Sequence, residues 1–302
     1  MATPDVDCLA PAASRRRGFT LVELLVVIGI IALLISILLP TLNSARHSAQ
    51  STVNLSNLRQ IGVGLEYYRN DNNGKFPRHS SLGSEVPRKR WADEIHNYFE
   101  QIDVFVSPLL DDRARSTQMV KWAHTLDQTT GAVTPDTKYW GGYGYNFQYL
   151  GNSRIKAPVT MPYYAGTADI DAPAETIAIA DTRGSRNGDA TFDYDQGAYV
   201  IDPPLQSFDY GSKGSRKTTG DPNDAGNHGY SGGGTGTRGE VVNDHRSWPM
   251  PRNSDGRVAM IFVDGHGELR TPDEMDDVTI DASGNRIPTN RYYNGLGDPG
   301  KM

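Results

Sequence analysis

Residues 14–46, SRRRGFTLVELLVVIGIIALLISILLPTLNSAR, constrain this chain more than any other stretch. Three arginines are followed by Gly18 and Phe19, and a lone carboxylate, Glu23, interrupts an otherwise apolar run. From Leu24 to Leu39 there is no charge, and Pro40 closes the run. A carboxylate placed in a membrane-inserting segment is costly, so it reads as functional by default. The basic-then-apolar order predicts one span, with Arg15, Arg16 and Arg17 cytoplasmic and everything beyond Pro40 exported. The run is a little short of the roughly 20 residues that span a bilayer, and residues 19–22 extend it.

Three plainer readings compete. A secretory signal peptide cut near Ala45 or Ala49 would have a slightly shorter apolar core than this one. A twin-arginine signal is suggested by Arg16-Arg17-Gly18-Phe19, and a simple single-pass anchor also fits. Glu23 argues against the first two, and the simple anchor is the strongest of the three.

The segment closely resembles the N-terminus of type IV pilins and of the pseudopilins of type II secretion. That resemblance implies cleavage between Gly18 and Phe19 by a prepilin peptidase, followed by N-methylation of the new Phe19 amine. Glu23 then becomes the fifth residue of the mature chain and Pro40 the twenty-second. It further implies that Glu23 and Pro40 serve assembly, with Glu23 pairing with the methylated amine of a neighbouring subunit. An opposite charge at close range offsets desolvation there. The bland reading of Glu23 is a side chain that snorkels to the headgroups.

The remaining composition fits an exported chain. The protein has 302 residues and a formal net charge of −6; without residues 1–18 it loses two acidic and three basic side chains and becomes −7. That acidity argues against nucleic acid as a partner, because phosphate contacts need clustered Lys and Arg. The one cysteine, Cys8, lies in the leader, so the mature chain has no disulfide and must rely on its core or on a metal.

Beyond Pro40, Leu58, Ile61, Leu65 and Tyr68 recur at helical spacing and predict that the helix continues as an amphipathic element. Gly62 and Gly64 weaken it by about 1 kcal/mol each relative to Ala. Asp71-Asn72-Asn73-Gly74 should stop it, with Gly74 as a left-handed cap. A short helix is expected around Trp91–Phe99, followed by a peripheral segment to about residue 126. Thr176–Ala180 and Val258–Val263 read as central strands of an antiparallel sheet, and Asp264-Gly265 as the turn after the second. Residues 183–256 read as an insertion, since 211–239 holds ten glycines in 29 residues and lacks the side chains for a core.

The expected fold class is α+β: a long N-terminal transmembrane-plus-amphipathic helix packed on a small antiparallel β-sheet with long loop insertions. The expected organisation is leader 1–18, transmembrane and filament-core helix 19–40, exported half of the same helix 41–71, and a globular domain 72–302. The tyrosine-rich helix end and Phe76-Pro77 resemble pseudopilins again. Tyr143-Gly144-Tyr145-Asn146, the run from Pro173 to Asp181, and Val258 to Asp264-Gly265-His266 resemble the large pilin-like family of planctomycete-type bacteria. That family's C-terminal motif has a histidine nine residues before its Asp-Gly pair. Here Ser254 stands at that place, beside Asn253, so the histidine is absent or displaced to His245 or His228.

Other candidate sites are weaker. Asp-rich loops, with Asp193 and Asp195 foremost beside Asp189, Asp202, Asp273, Glu274, Asp276 and Asp277, could supply oxygen ligands to Ca2+. No EF-hand loop fits, and solvated acidic loops are the plainer reading. His228, His245, His266, Asp264 and Glu268 match no zinc template. Tyr139, Trp140, Tyr143, Tyr145, Phe147 and Tyr149 alternate in a strand-like way. They could stack on sugars, or form a core with one exposed sheet face. No nucleophile constellation is present, so the chain is not expected to be an enzyme or to need a cofactor.

The expected function is a pilin-like structural subunit of a type II secretion pseudopilus or type IV pilus-like filament. Its expected partners are the prepilin peptidase, other pilin subunits and an inner-membrane assembly platform. Its expected place is the inner membrane, N-terminus inside, with the globular domain periplasmic or on an extracellular filament. The alternative is a membrane-anchored exported binding module, glycan-directed, that uses a pilin-type leader.

Overall fold

In the computed structural model the described residues are 20–80, 89–110, 141–147, 149–152, 163–182, 201, 249–277, 279–280, 282, 284, 286–287 and 291–297. The Gly18-Phe19 pair, Asp193, Asp195, Tyr139, Trp140, His228, His245 and most of the Gly-rich insertion lie outside them. Two compact units divide at Arg46 and His47, and helix α1 (Leu21–Asp71) begins in the first and ends in the second.

In the first unit α1 carries its apolar side chains outward. Leu21, Leu24, Ile28, Leu33 and Leu38 are all more than half exposed. The helix passes Pro40 without a break. Pro40 has no N–H to give the Ser36 carbonyl. Close by, the Ser36 and Thr41 hydroxyls donate to the carbonyls of Leu33 and Leu38 at 2.7 and 2.8 Å.

In the second unit one face of α1 enters a core. Leu58 and Ile61 are fully buried and Leu65 nearly so, with Leu55 and Tyr68 packed beside them. The helix ends on two left-handed residues, Asn73 and Gly74. Gly74 N–H donates to the Arg69 carbonyl at 2.8 Å, the wide 6→1 bond of a Schellman motif. Asn73 therefore holds the left-handed cap position expected of Gly74, and the glycine follows it.

Against that face lies a four-stranded antiparallel sheet, in the order β1 (Tyr143–Tyr145), β4 (Ile177–Asp181), β5 (Val258–Phe262), β6 (Gly267–Arg270). The central pair is the one expected from the apolar runs. Their unbroken hydrophobicity has a simple cause: the sheet is covered on both sides. Along β5, Ala259 and Ile261 face the cluster that contains α1, while Val258, Met260 and Phe262 face a second cluster with Tyr149, Ile201, Met275 and Tyr293. Two short pairs accompany the sheet: β2 (Gly151–Asn152) with β3 (Tyr163–Tyr164), and β7 (Thr279–Ile280) with β8 (Arg286–Ile287).

Two expectations need correction. The segment after α2 (Trp91–Ile95) is not peripheral in its described part. Phe105 is fully buried, with its ring centroid 5.9 Å from Trp91 and 4.8 Å from Phe99. The described aromatics of the alternating cluster form core, one of the two readings open to them, but without the exposed sheet face expected there. Tyr143, Tyr145, Phe147 and Tyr149 are fully buried. The Tyr143 and Tyr145 hydroxyls donate internally, to Asn54 Oδ1 and the Pro77 carbonyl, at 2.8 and 2.9 Å. Alternation suggested a wet face, but in β1 the residue between the tyrosines is Gly144, and it too is buried.

The two helix glycines also change meaning. A Cβ on Gly62 would sit 2.8 Å from Ile261 Cγ1, and one on Gly64 would sit 2.2 Å from the Phe99 ring. Their propensity cost is offset by letting the sheet and Phe99 approach the helix backbone closely.

Candidate functional site

The first candidate is the start of α1. Thr20 N–H and Thr20 Oγ1 both donate to Glu23 Oε2, at 2.8 and 2.7 Å, and Glu23 N–H lies 3.3 Å from Thr20 Oγ1. This reciprocal arrangement is a capping box, in which the two side chains satisfy donors that the first helical turn leaves open. Glu23 is exposed, and its second oxygen, Oε1, has no partner among the described residues. The sequence Thr20-Leu21-Val22-Glu23 already carries the S/T-x-x-E signature. Downstream, α1 is the one described helix long and apolar enough to cross a membrane. A stretch of apolar side chains this large and this exposed needs lipid or other protein to cover it.

The second is a buried polar junction in the globular unit. Asp181, the last residue of β4, is fully buried. Its Oδ2 accepts from Asn54 Nδ2 at 2.7 Å, from Ala259 N–H at 3.2 Å and from Asn253 Nδ2 at 3.4 Å. Asn54, on the buried face of α1, also accepts from Ser107 Oγ and the Tyr143 hydroxyl, both at 2.8 Å. Arg252 donates to the Gly142 carbonyl at 3.2 Å and to the Thr182 carbonyl, with Nη1 4.0 Å from Asp181 Oδ1. Burial pushes the Asp181 carboxyl up to about 6, although Arg252, Asn54, Ala259 N–H and Asn253 all pull it down.

Sequence reading did not find this junction. Its sole trace was Asp181, the one charge closing the apolar run Ile177–Asp181. Arg252 and Asn253 fell inside the expected insertion, yet both are buried. Pro249 forms a bridge with Thr182.

Removing the hub should be expensive. Asn54→Ala leaves Ser107, Tyr143 and Asp181 each short of a partner. At about 1–3 kcal/mol per buried unsatisfied group, the globular unit should lose roughly 3 kcal/mol or more. Chemical denaturation checks this, and a loss below about 1 kcal/mol would mean that water replaces the asparagine.

The turn Asp264-Gly265-His266 joins β5 to β6 as expected, with Gly265 at φ +91°. Asp264 Oδ1 accepts from His266 N–H at 3.1 Å and lies 2.5 Å from its Nδ1. The imidazole stacks on Phe262, centroids 4.3 Å apart and planes 2° from parallel. The turn is tied to α1, because Arg59 donates to the Gly267 carbonyl at 3.2 Å and Arg69 to the Val263 carbonyl at 3.5 Å. Among the described residues no group of three or more His, Cys, Asp or Glu side chains is placed to hold a metal ion. Glu274, from the acidic C-terminal stretch, caps a helical turn at Thr271 instead.

Comparison with known proteins bears on the first candidate. Residues 13–39 match the family described as the prokaryotic N-terminal methylation motif. The chain carries that motif. Over 66 residues it is 42% identical to the type IV wide pilus major component PilA4 of Thermus thermophilus, covering 22% of this chain and 50% of that protein. Over 84 residues it is 32% identical to the type II secretion system core protein G of Dickeya chrysanthemi, covering 28% of this chain and 55% of that protein. The same protein of Pectobacterium carotovorum gives 32% over 84 residues and 54% of its length. The chain thus spans about half the length of the curated relatives it matches. No solved structure matches it. Motif and fold agree: a long N-terminal apolar helix fit for single-pass anchoring, with a small antiparallel sheet behind it.

Proposed function

We propose that this chain is a structural subunit of a pilin-like filament, either a type II secretion pseudopilus or a type IV pilus-like fibre. The observation that carries the reading is the exposed apolar stretch of α1 from Leu21 to Leu39, whose one carboxylate, Glu23, uses one oxygen to cap its own helix and has the other open. Residues 1–18 are a leader removed by the prepilin peptidase, and the new Phe19 amine is methylated. Residues 19–40 lie in the inner membrane and later in the filament core. Residues 41–71 form the exported half of the helix, and 72–302 the globular domain. Arg15, Arg16 and Arg17 hold the N-terminus in the cytoplasm, so the globular domain is periplasmic or filament-borne. An inner-membrane platform and other pilin subunits are its partners, and the chain itself catalyses nothing.

Pairing works because an ammonium and a carboxylate that meet in a low-dielectric filament core each offset the other's desolvation. Glu23 Oε1 is the oxygen left for the incoming amine, so capping and pairing do not compete for one atom.

Mass spectrometry of the membrane-extracted protein tests the processing step. The mature chain should begin with N-methyl-Phe19. A start at Met1, or one near Ala49, would rule out the filament-subunit reading.

A further inference from the structure

Asp181 has two oxygens in opposite situations. Oδ2 receives three donors, while Oδ1, equally buried, has no hydrogen-bond partner. Asn253 Oδ1, on the side chain that donates to Asp181 Oδ2, is likewise buried without a partner. A carboxylate needs donors at both oxygens. A neutral carboxyl needs them at one, and offers a donor from the other. The ionised group thus leaves one buried oxygen without a hydrogen bond, with Arg252 Nη1 4.0 Å away, and a proton on Oδ1 removes that demand.

Five segments meet at this group: α1 through Asn54, Ser107 behind it, β1 through Tyr143, β5 through Ala259 N–H, and residues 249–253 through Arg252 and Asn253. Among the described residues the charged or titratable groups facing Asp181 are Arg252 and Tyr143. Tyr143 is held well above its ordinary range, chiefly by burial, so it stays neutral. The Arg252 charge and the three donors at Oδ2 favour the ionised form, and burial outweighs them.

We propose that Asp181 is a proton-operated clamp at the helix–sheet junction, which takes up one proton as the globular unit folds and holds α1 and residues 249–253 more firmly in mildly acidic surroundings than in neutral ones.

The sign follows from linkage. A carboxyl held up at about 6 in the folded chain titrates near 3.9 when unfolded. The folded state binds the proton more tightly, so the added stability is full below about pH 4 and is lost as pH rises through about 6. Two pH units correspond to about a hundredfold in the folding equilibrium.

The test is equilibrium unfolding of the full-length protein in detergent micelles, from about pH 4 to 7, beside Asp181→Asn. The amide places its Nδ2 donors at the Oδ1 position and keeps an acceptor at Oδ2, so it mimics the protonated form at every pH. Other titrating groups act in both proteins, and the difference between them isolates this site. Relative to Asp181→Asn, the wild type should lose about a hundredfold in its folding equilibrium across that range. Parallel curves, or a relative gain with rising pH, would overturn the clamp. Should Asp181→Asn fail to fold, the carboxyl infrared band of aspartate-labelled wild type decides. A protonated-acid band that persists above about pH 5 supports the clamp, and its absence overturns it.

Discussion

Glu23→Ala subunits should insert into the membrane and be cleaved normally, and yet fail to appear in filaments. The residue lies downstream of the Gly18-Phe19 pair, and an apolar replacement favours the bilayer, so neither early step depends on it. On the filament reading proposed above assembly does, because a methylated amine entering a filament core without its carboxylate would be an unpaired buried charge, which costs several kcal/mol. Alanine also removes half of the capping box, and the two roles have to be separated. Glu23→Gln keeps an acceptor for Thr20 N–H and Oγ1 but has no charge, and should fail like alanine. Thr20→Ala loses the cap at a cost of about 1 kcal/mol but keeps the carboxylate, and should still assemble. Filament recovery, read beside a blot of the membrane fraction, distinguishes these outcomes. Normal filaments from Glu23→Ala would end the pairing mechanism, and failure of Thr20→Ala alongside normal Glu23→Gln would reassign the residue to capping.

An equally large effect on the globular unit should come from Gly151→Ala. A Cβ there would sit 1.9 Å from the Pro77 carbonyl oxygen, and 3.0 Å from both the Pro77 carbonyl carbon and the Tyr145 hydroxyl. Pro77 cannot easily retreat. Its carbonyl accepts from Tyr145, and two residues on His79 N–H donates to the Gly151 carbonyl at 2.9 Å. Backbone meets backbone, and no rotamer change relieves the overlap. A loss of at least about 3 kcal/mol is expected, at the upper end for overpacking. Gly62→Ala is the control. Its obstacle is Ile261 Cγ1, near the root of a buried β-branched side chain that gives only with strain, but alanine returns about 1 kcal/mol of helix propensity, so its net loss should be clearly smaller. Urea denaturation of the two variants tests the contrast, and equal effects would show that β2 slides to make room.

Much of this architecture was legible because burial on both sides of a sheet leaves an unmistakable sequence trace. The runs Ile177–Asp181 and Val258–Phe262 have almost no polar residue because neither face meets water. The stripe Leu58, Ile61, Leu65 was legible because its helix has one dry face. The junction was not. Asn54 and Asp181 stand 127 positions apart, and each alone looks like an ordinary surface residue. Only three-dimensional proximity makes them partners. The tyrosines left both readings open for a related reason, since a buried tyrosine whose hydroxyl finds an internal acceptor has the same sequence pattern as one that faces solvent. The capping box was legible in Thr20 and Glu23 but hidden behind the more conspicuous question of why a carboxylate lies in an apolar segment.

A subunit that waits in the membrane before recruitment does not hold a naked anion, because two donors from its own first turn already surround one carboxylate oxygen. The idle form is therefore tolerable as a standing reserve, and the open oxygen leaves it ready for use. On the filament reading proposed above, such chains would already be ready for assembly while still in the membrane.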